Sequence, residues 1–356
     1  MENKRDYIYD FLRVLSCFFI IGIHCCERFL HGENYNNIWW EYNILSAIFR
    51  SGLLLFVFIS GALILNKNHE NLSTFYLKRF IKIVVPLLIY SYIYLFINKY
   101  NFSVQMFIPK NMLNLLIEIL AAPIYYHFWF VYMIIGLYIF APFISKMVKS
   151  LTESECLRLT FLLYVVSFIR YFLPSFGIKI GITNIVFVEW MIPFLLGYLT
   201  TRKIIYDKFK LFFILGGLSF LFLIISKRFF STINNIYDLA PTFLLQCQAI
   251  FLLFIIKKEK ICHNNKINKI ISYISNYTYG IYLIHAIVLD FLQKLIFNKT
   301  CIISSLFNNF AAIFLVFIIS FSFSFLIDNL VKYCLLVPLY IKNYVYSKKY
   351  NYVNIF

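Results

Sequence analysis

Residues 7–27 read YIYDFLRVLSCFFIIGIHCCE, and between Phe11 and Cys26 only Arg13, Ser16 and His24 interrupt an apolar run. A helix needs about 20 mainly apolar residues to cross about 30 Å of hydrocarbon, so this stretch predicts a membrane span. A cleaved signal peptide is not expected, because Arg13 lies inside the run and no small-residue cleavage site ends it. Arg13 and His24 are eleven residues apart, and eleven steps of about 100° fall within about 20° of three full turns. The two side chains therefore share one helix face, about 16 Å apart along the axis. A charge near the bilayer centre costs at least about 2.5–3.5 kcal/mol on insertion scales, which turns that face toward a bundle interior. The bland alternative is an arginine snorkelling to one interface and a histidine anchored at the other.

The rest of the chain extends the same pattern. Of 356 residues, 62% are hydrophobic, 21% aromatic and only 14% charged, with a mean hydropathy of +0.77. A soluble domain carries about 25% charged residues, so there is too little polar surface here for a soluble enzyme. The ruler used for the first stretch finds ten candidate spans, near 9–26, 44–66, 80–98, 128–148, 158–174, 184–201, 209–226, 240–256, 278–297 and 303–327. Residues 111–124 are apolar but short and read as an interfacial or re-entrant segment; 331–346 read as a last helix at the inner surface. With the N-terminus inside, inner segments hold 22 of the 33 Lys and Arg and outer segments eight. That bias places both termini in the cytoplasm and accounts for the net charge of +17 without nucleic acid. The expected fold is an all-α integral membrane protein of about ten helices in a single domain, 1–356, with the bundle in 1–330 and a cytoplasmic helix and tail in 331–356. No loop is long enough to fold separately.

Further ionisable groups fall inside or at the ends of the spans. His127 opens the fourth span on the same side as His24, and Glu189 with Trp190 lies at the outer part of the sixth. Glu27 is one turn from His24 and is placed to orient its imidazole, or else to be a solvated rim residue. On the inner side Arg79 and Lys82, three apart and followed by Pro86, form either a phosphate grip or a headgroup stop. His285 and Asp290, five apart in the ninth span, do not share a face well and read as separate interhelical partners. Gly61 and Gly280 read as close-packing positions. The eight cysteines form no CxxC pair and no zinc spacing, so they read as buried thiols. GxSxG, P-loop, GxGxxG and HExxH motifs are missing, which leaves metal and nucleotide-hydrolysing mechanisms without residues.

Taken together, these pieces resemble the acyltransferase 3 family of membrane acyltransferases over nearly the whole chain. The resemblance rests on R-x10-H at Arg13–His24, on FISG at Phe58–Gly61 with Arg50 upstream, and on R-x-x-K at Arg79–Lys82. It continues through HFWFVYMIIGLYIFAPF from His127 to Phe143 and SNYTYGIYLIH from Ser275 to His285. One departure is Lys82, where the family usually has a second arginine; Lys is a point charge rather than a bidentate fork. The lack of a fused extracellular domain resembles the stand-alone branch that O-acetylates surface glycans, such as the enterobacterial common-antigen O-acetyltransferase.

The resemblance implies acetyl-CoA as acyl donor, no metal, and a surface polysaccharide or lipid-linked sugar as acceptor, in the cytoplasmic membrane. It implies His24 as general base, Arg79, Lys82 and Arg13 as donor phosphate ligands, and Arg13 and His127 as further catalytic residues. Tyr126 or His127 would steady the oxyanion or the acceptor, with Glu27, Trp129 and Glu189 in orienting roles. Cys25, beside His24, offers a covalent acyl-cysteine route as an alternative. A polytopic transporter or exporter is the competing class, which internal inverted repeats would favour; none is found.

Overall fold

The computed structural model describes residues 5–30, 36–69, 71–173, 178, 189–229, 239–294 and 306–333. These residues form helices and connecting turns, with no strand among them. In chain order the main helices are α1 (Tyr7–Cys26), α2 (Asn37–Phe49), α3 (Ser51–Leu65), α4 (Leu72–Arg79), α5 (Val85–Asn98), α6 (Pro109–Ala121) and α7 (Trp129–Lys149). They continue as α8 (Glu153–Ser167), α9 (Met191–Leu199), α10 (Phe209–Phe229), α11 (Pro241–Ile256), α12 (Asn265–Ser275), α13 (Thr278–Leu292) and α14 (Leu306–Val331).

Local chemistry sets many of the starts. Asp6, Asn36, Asn71 and Asn264 cap α1, α2, α4 and α12 through their side-chain oxygens. Thr152 and Glu155 form a capping box at α8, and Pro109 and Pro241 occupy the first turns of α6 and α11. Between α4 and α5 the chain makes a π-turn over Phe80–Val84, where the Val85 N–H reaches the Phe80 carbonyl. Pro86 has no N–H to give the Lys82 carbonyl four residues back, and the wider turn absorbs that loss.

Six helical stretches are long and apolar enough to cross a membrane: Tyr7–Cys26, Asn37–Leu65, Leu72–Asn98, Trp129–Lys149, Phe209–Phe229 and Asn308–Val331. Pro241–Ile256 and Thr278–Leu292 are shorter apolar helices. All eight coincide with expected spans. The spans expected at 158–174 and 184–201 fall on α8 and on α9, whose helix is nine residues long. The second expected span, 44–66, starts earlier in the structure, at Asn37, and the polar Asn43 just before its expected start is buried within the bundle. Asn43 donates to the Ile224 carbonyl at 2.9 Å. The segment expected at 111–124 is α6, which exposes Leu113, Ile117 and Leu120. The helix expected at 331–346 lies outside the described residues beyond Tyr333.

Apolar side chains also face outward, as lipid requires. Ile214, Leu218, Leu221 and Ile225 form an exposed stripe along α10. Inside the bundle α1 is the central element and packs on α2, α3, α12, α13 and α14. Its contacts with the α12–α13 segment recur every seven residues. The Asp10 carboxylate accepts from Ser275 at 2.9 Å, the Cys17 thiol donates to the Thr278 carbonyl at 3.1 Å, and the His24 ring lies 5.4 Å from that of His285. Seven residues are nearly two turns, so the three positions form one seam. Helices α3 and α9 cross at Gly61 and Gly197. A Cβ on Gly61 would sit 1.8 Å from the Phe194 carbonyl oxygen, and one on Gly197 would sit 2.2 Å from that of Phe58. Small residues let helix backbones approach this closely in a membrane, and Gly280, hard against Ser324 and Tyr90, does the same for α13.

Candidate active site

The expected site residues gather at the two ends of α1. At its C-terminal end, the His24 ring lies 5.4 Å from Tyr126 and 5.4 Å from His285. His127 lies 4.8 Å from His285 and 5.3 Å from Tyr126. Three histidines and a tyrosine, brought in by α1, α13 and the turn before α7, thus share one space. His24 makes no hydrogen bond among the described residues. The Nε2 of His127 meets the Leu283 carbonyl at 3.2 Å and the Nδ1 of His285 meets the Tyr282 carbonyl at 2.6 Å. The other ring nitrogens, His127 Nδ1 and His285 Nε2, are buried and have no partner. Tyr282 donates to the His127 carbonyl and so braces this corner from α13.

The two carboxylates expected either to orient His24 or to sit at a solvated rim are part-exposed and paired with arginines. The Glu27 carboxylate pairs with Arg50 at 3.0 Å and makes no hydrogen bond to His24. Glu189 pairs with Arg170, and neither enters the histidine cluster. Trp129 and Trp190 lie side by side, 5.3 Å between rings and tilted by 52°. Cys25 is buried at 1% exposure, which disfavours a nucleophilic thiolate.

His285 was expected to be an interhelical partner, and the structure shows which residue it meets. Asp290, five residues on, accepts from Tyr125. The His285 ring lies against that of His24, 261 residues earlier. The signal available was its position within an apolar span, where an ionisable group is a functional candidate by default.

At the N-terminal end of α1 lies a cluster of cations. Arg13 donates to the buried Asp10 at 2.9 Å, and the same carboxylate takes Arg5 at 2.6 Å. Asp10 was not read from the sequence, and it partly occupies Arg13. Arg13 stands about 16 Å down the helix from His24, at the end where the cations gather. The Arg79 guanidinium lies 5.2 Å from the Tyr138 ring and 5.0 Å from the Phe75 ring, and its Nε is buried without a partner. Lys82 stands in the field of Arg79, Lys78, Lys67 and Arg13. The structure therefore brings Arg13, Arg79 and Lys82 to one end of the bundle.

Phe75 also meets His69 edge to face, 4.6 Å between rings, and His69 lines a neighbouring cleft of about 350 Å³ with Asn68, Ser145, Lys146 and Lys149. Burial pushes the His69 imidazole below its ordinary range, helped by the charges of Arg79, Lys149 and Lys67 and opposed by its bond to the Ile64 carbonyl. The cleft is a place where an anion would be welcome. Among the described residues no group of histidine, cysteine and carboxylate side chains is arranged to hold a metal ion.

A cation cluster at one end of a helix and an unbonded imidazole at the other suit a long anionic donor whose reactive end reaches the far side. A family model described as an acyltransferase domain matches residues 6–328. No curated protein and no solved structure matches the chain significantly.

Proposed function

Since the chain belongs to the acyltransferase 3 family, a family of membrane acyltransferases, we propose that it moves an acetyl group from acetyl-CoA to a hydroxyl of a surface polysaccharide or lipid-linked sugar. The observation that carries the reading is the free His24 imidazole, held at the opposite end of α1 from Arg13, Arg79 and Lys82. The donor phosphates dock among those cations from the cytoplasm, and the adjoining His69–Lys149 cleft takes the remaining negative charge. The Lys and Arg bias along the chain supports that sidedness in the cytoplasmic membrane. The pantetheine arm then spans the roughly 16 Å along α1 to His24.

At His24 the acceptor hydroxyl oxygen attacks the thioester carbonyl while the imidazole takes its proton. The tetrahedral intermediate collapses, the C–S bond breaks, and the departing thiolate takes that proton back from the imidazolium. The products are the acetyl ester and free CoA, and no enzyme-bound acyl group is needed. Tyr126, in ring contact with His24, is placed to donate to the oxyanion. Trp129 and Trp190 offer flat apolar faces at the rim for a sugar ring.

The test is transfer from radiolabelled acetyl-CoA in membranes that hold the host's own lipid-linked glycans, wild type beside His24→Ala. Label entering glycan or lipid with wild type alone is the expected result. Equal label with both proteins refutes His24 as base. Failure of wild type to transfer the label, to hydrolyse the thioester or to bind CoA overturns the whole reading in favour of a transporter.

A further inference from the structure

Resting on His24 as the base, we propose that His285 is its positioning residue: the buried Nε2 of His285 accepts the second N–H of His24 and fixes its tautomer. Bases of this kind need a partner, because an imidazole that takes a proton at one nitrogen must hold its other N–H in a fixed direction. A carboxylate is the usual choice. Here Glu27, the nearest in sequence, is engaged by Arg50, and Asp290 is engaged by Tyr125.

The protonation pattern of His285 follows from its contacts. A carbonyl oxygen only accepts, so the short contact to Tyr282 puts the proton on Nδ1. In the neutral ring Nε2 then carries a lone pair, and this atom is fully buried without a partner. A buried acceptor left unpaired is costly, so it needs a donor. His127 cannot supply one. Its Nε2 proton goes to the Leu283 carbonyl, which leaves Nδ1 as a second lone pair, and its ring meets His285 edge-on at 67°. The His24 ring meets His285 at 29°, with centroids 5.4 Å apart. Two imidazoles joined by an in-plane N–H···N bond have centroids about 5 Å apart. The two rings are stacked rather than in line, so the His24 ring must turn about its side-chain bonds to aim its N–H at Nε2, and catalytic contacts often tighten in this way only in the liganded complex.

The buried seam at Asp10 and Cys17 sets the height of His285 against His24, so the pairing depends on helix packing rather than on a loop. The charged and titratable groups facing His24 are Glu27, Arg50, Tyr126, His127 and Asp290, with Lys227 behind the Glu27–Arg50 pair. A pH profile must be read against all of them, and comparing variants at one position cancels their shared contribution.

The test uses the purified full chain in lipid nanodiscs with radiolabelled acetyl-CoA, reading acetyl transfer or acetate release at several pH values. His285→Phe removes the acceptor and keeps a ring; His285→Gln restores an oxygen near the Nε2 position. We expect kcat to fall about 10–100-fold in the Phe variant with the KM for acetyl-CoA within threefold. The Gln variant should recover at least tenfold of any larger loss. The acidic limb of the pH–rate profile should move to lower pH in the Phe variant, because the His24 imidazolium loses the partner that favours it. Wild-type kcat in the Phe variant overturns the proposal. So does a Gln variant no better than Phe with an unmoved acidic limb, which would mark a packing role only. If the Phe variant fails to fold, the Gln variant decides through its kcat and pH limb. His24→Ala run alongside separates the two claims: activity retained there defeats the base itself, whereas activity lost there but kept in His285→Phe defeats only the pairing.

Discussion

The crossing of α3 and α9 makes a sharp prediction for Gly61→Ala. Two effects compete. Alanine is better than glycine inside a helix by about 0.8–1.0 kcal/mol, which favours the variant. Against this, the new methyl would stand 1.8 Å from the Phe194 carbonyl oxygen. That atom is backbone, so no rotamer change moves it away, and the helices must part by roughly 1.5 Å to recover ordinary contact. In lipid no hydrophobic force holds two helices together, so separation forfeits the close packing that joins them. Overpacking of this kind costs about 1–3 kcal/mol, and a rigid backbone obstacle points to the upper half of that range. The net is a loss of about 1–2 kcal/mol, which at about 2–4 °C per kcal/mol lowers Tm by several degrees. Gly197→Ala presses on the same crossing from the other side, at 2.2 Å from the Phe58 carbonyl oxygen. The double variant should therefore lose less than the sum, since one separation relieves both clashes. The assay is thermal unfolding of the purified protein in detergent by tryptophan fluorescence. Gly217→Ala is the control, because nothing lies within 4 Å of its added Cβ and only the helix gain remains. A Gly61→Ala protein as stable as wild type, or raised in Tm like Gly217→Ala, would refute the reasoning.

Two further predictions concern the cation end, beside those attached to His24 and His285. Arg79→Ala should raise the KM for acetyl-CoA about tenfold or more with kcat little changed, and added salt should weaken donor binding in wild type more than in the variant; initial-rate kinetics at two ionic strengths check both. Lys82→Arg, by offering a bidentate fork, should lower that KM if phosphate is gripped there. Burial depresses the proton affinity of His69, so it gains charge only as pH falls below the ordinary imidazole range. An anion in the cleft favours the charged ring, so donor affinity should rise as pH falls through that range. His69→Gln should flatten this dependence, leaving the ligand phosphate's own titration as background.

Much of the architecture was legible because burial in lipid is written in composition. The stretches at 9–26, 80–98, 128–148 and 209–226 are apolar over the length a bilayer demands, and each is helical. Spacing on one helix was equally readable, as with Arg13 and His24. Pairing between helices was not. Periodicity in α1 says nothing about which residue 261 positions later will face His24, and so His285 was legible as an interhelical partner but its neighbour was not. The same limit hid Asp10, whose ligands Arg5, Arg13 and Ser275 come from both ends of the chain. Glu27 was read from its one-turn distance to His24, but Arg50, 23 residues on, pairs with it. At Arg79 and Lys82 the i, i+3 rule was applied to a regular helix, whereas Pro86 imposes a π-turn over Phe80–Val84.

The seam of Asp10, Cys17 and His24 acts as a ruler laid along α1, graduated every two turns. Its zero mark is the ion network at Asp10, and its last mark is the His24 imidazole, the proposed base. Sliding α1 by one turn would displace His24 about 5.4 Å from His285. The same slide would pull a buried carboxylate off two arginines and a serine. The energy that keeps the reacting end in alignment is thus stored at the opposite end of the helix.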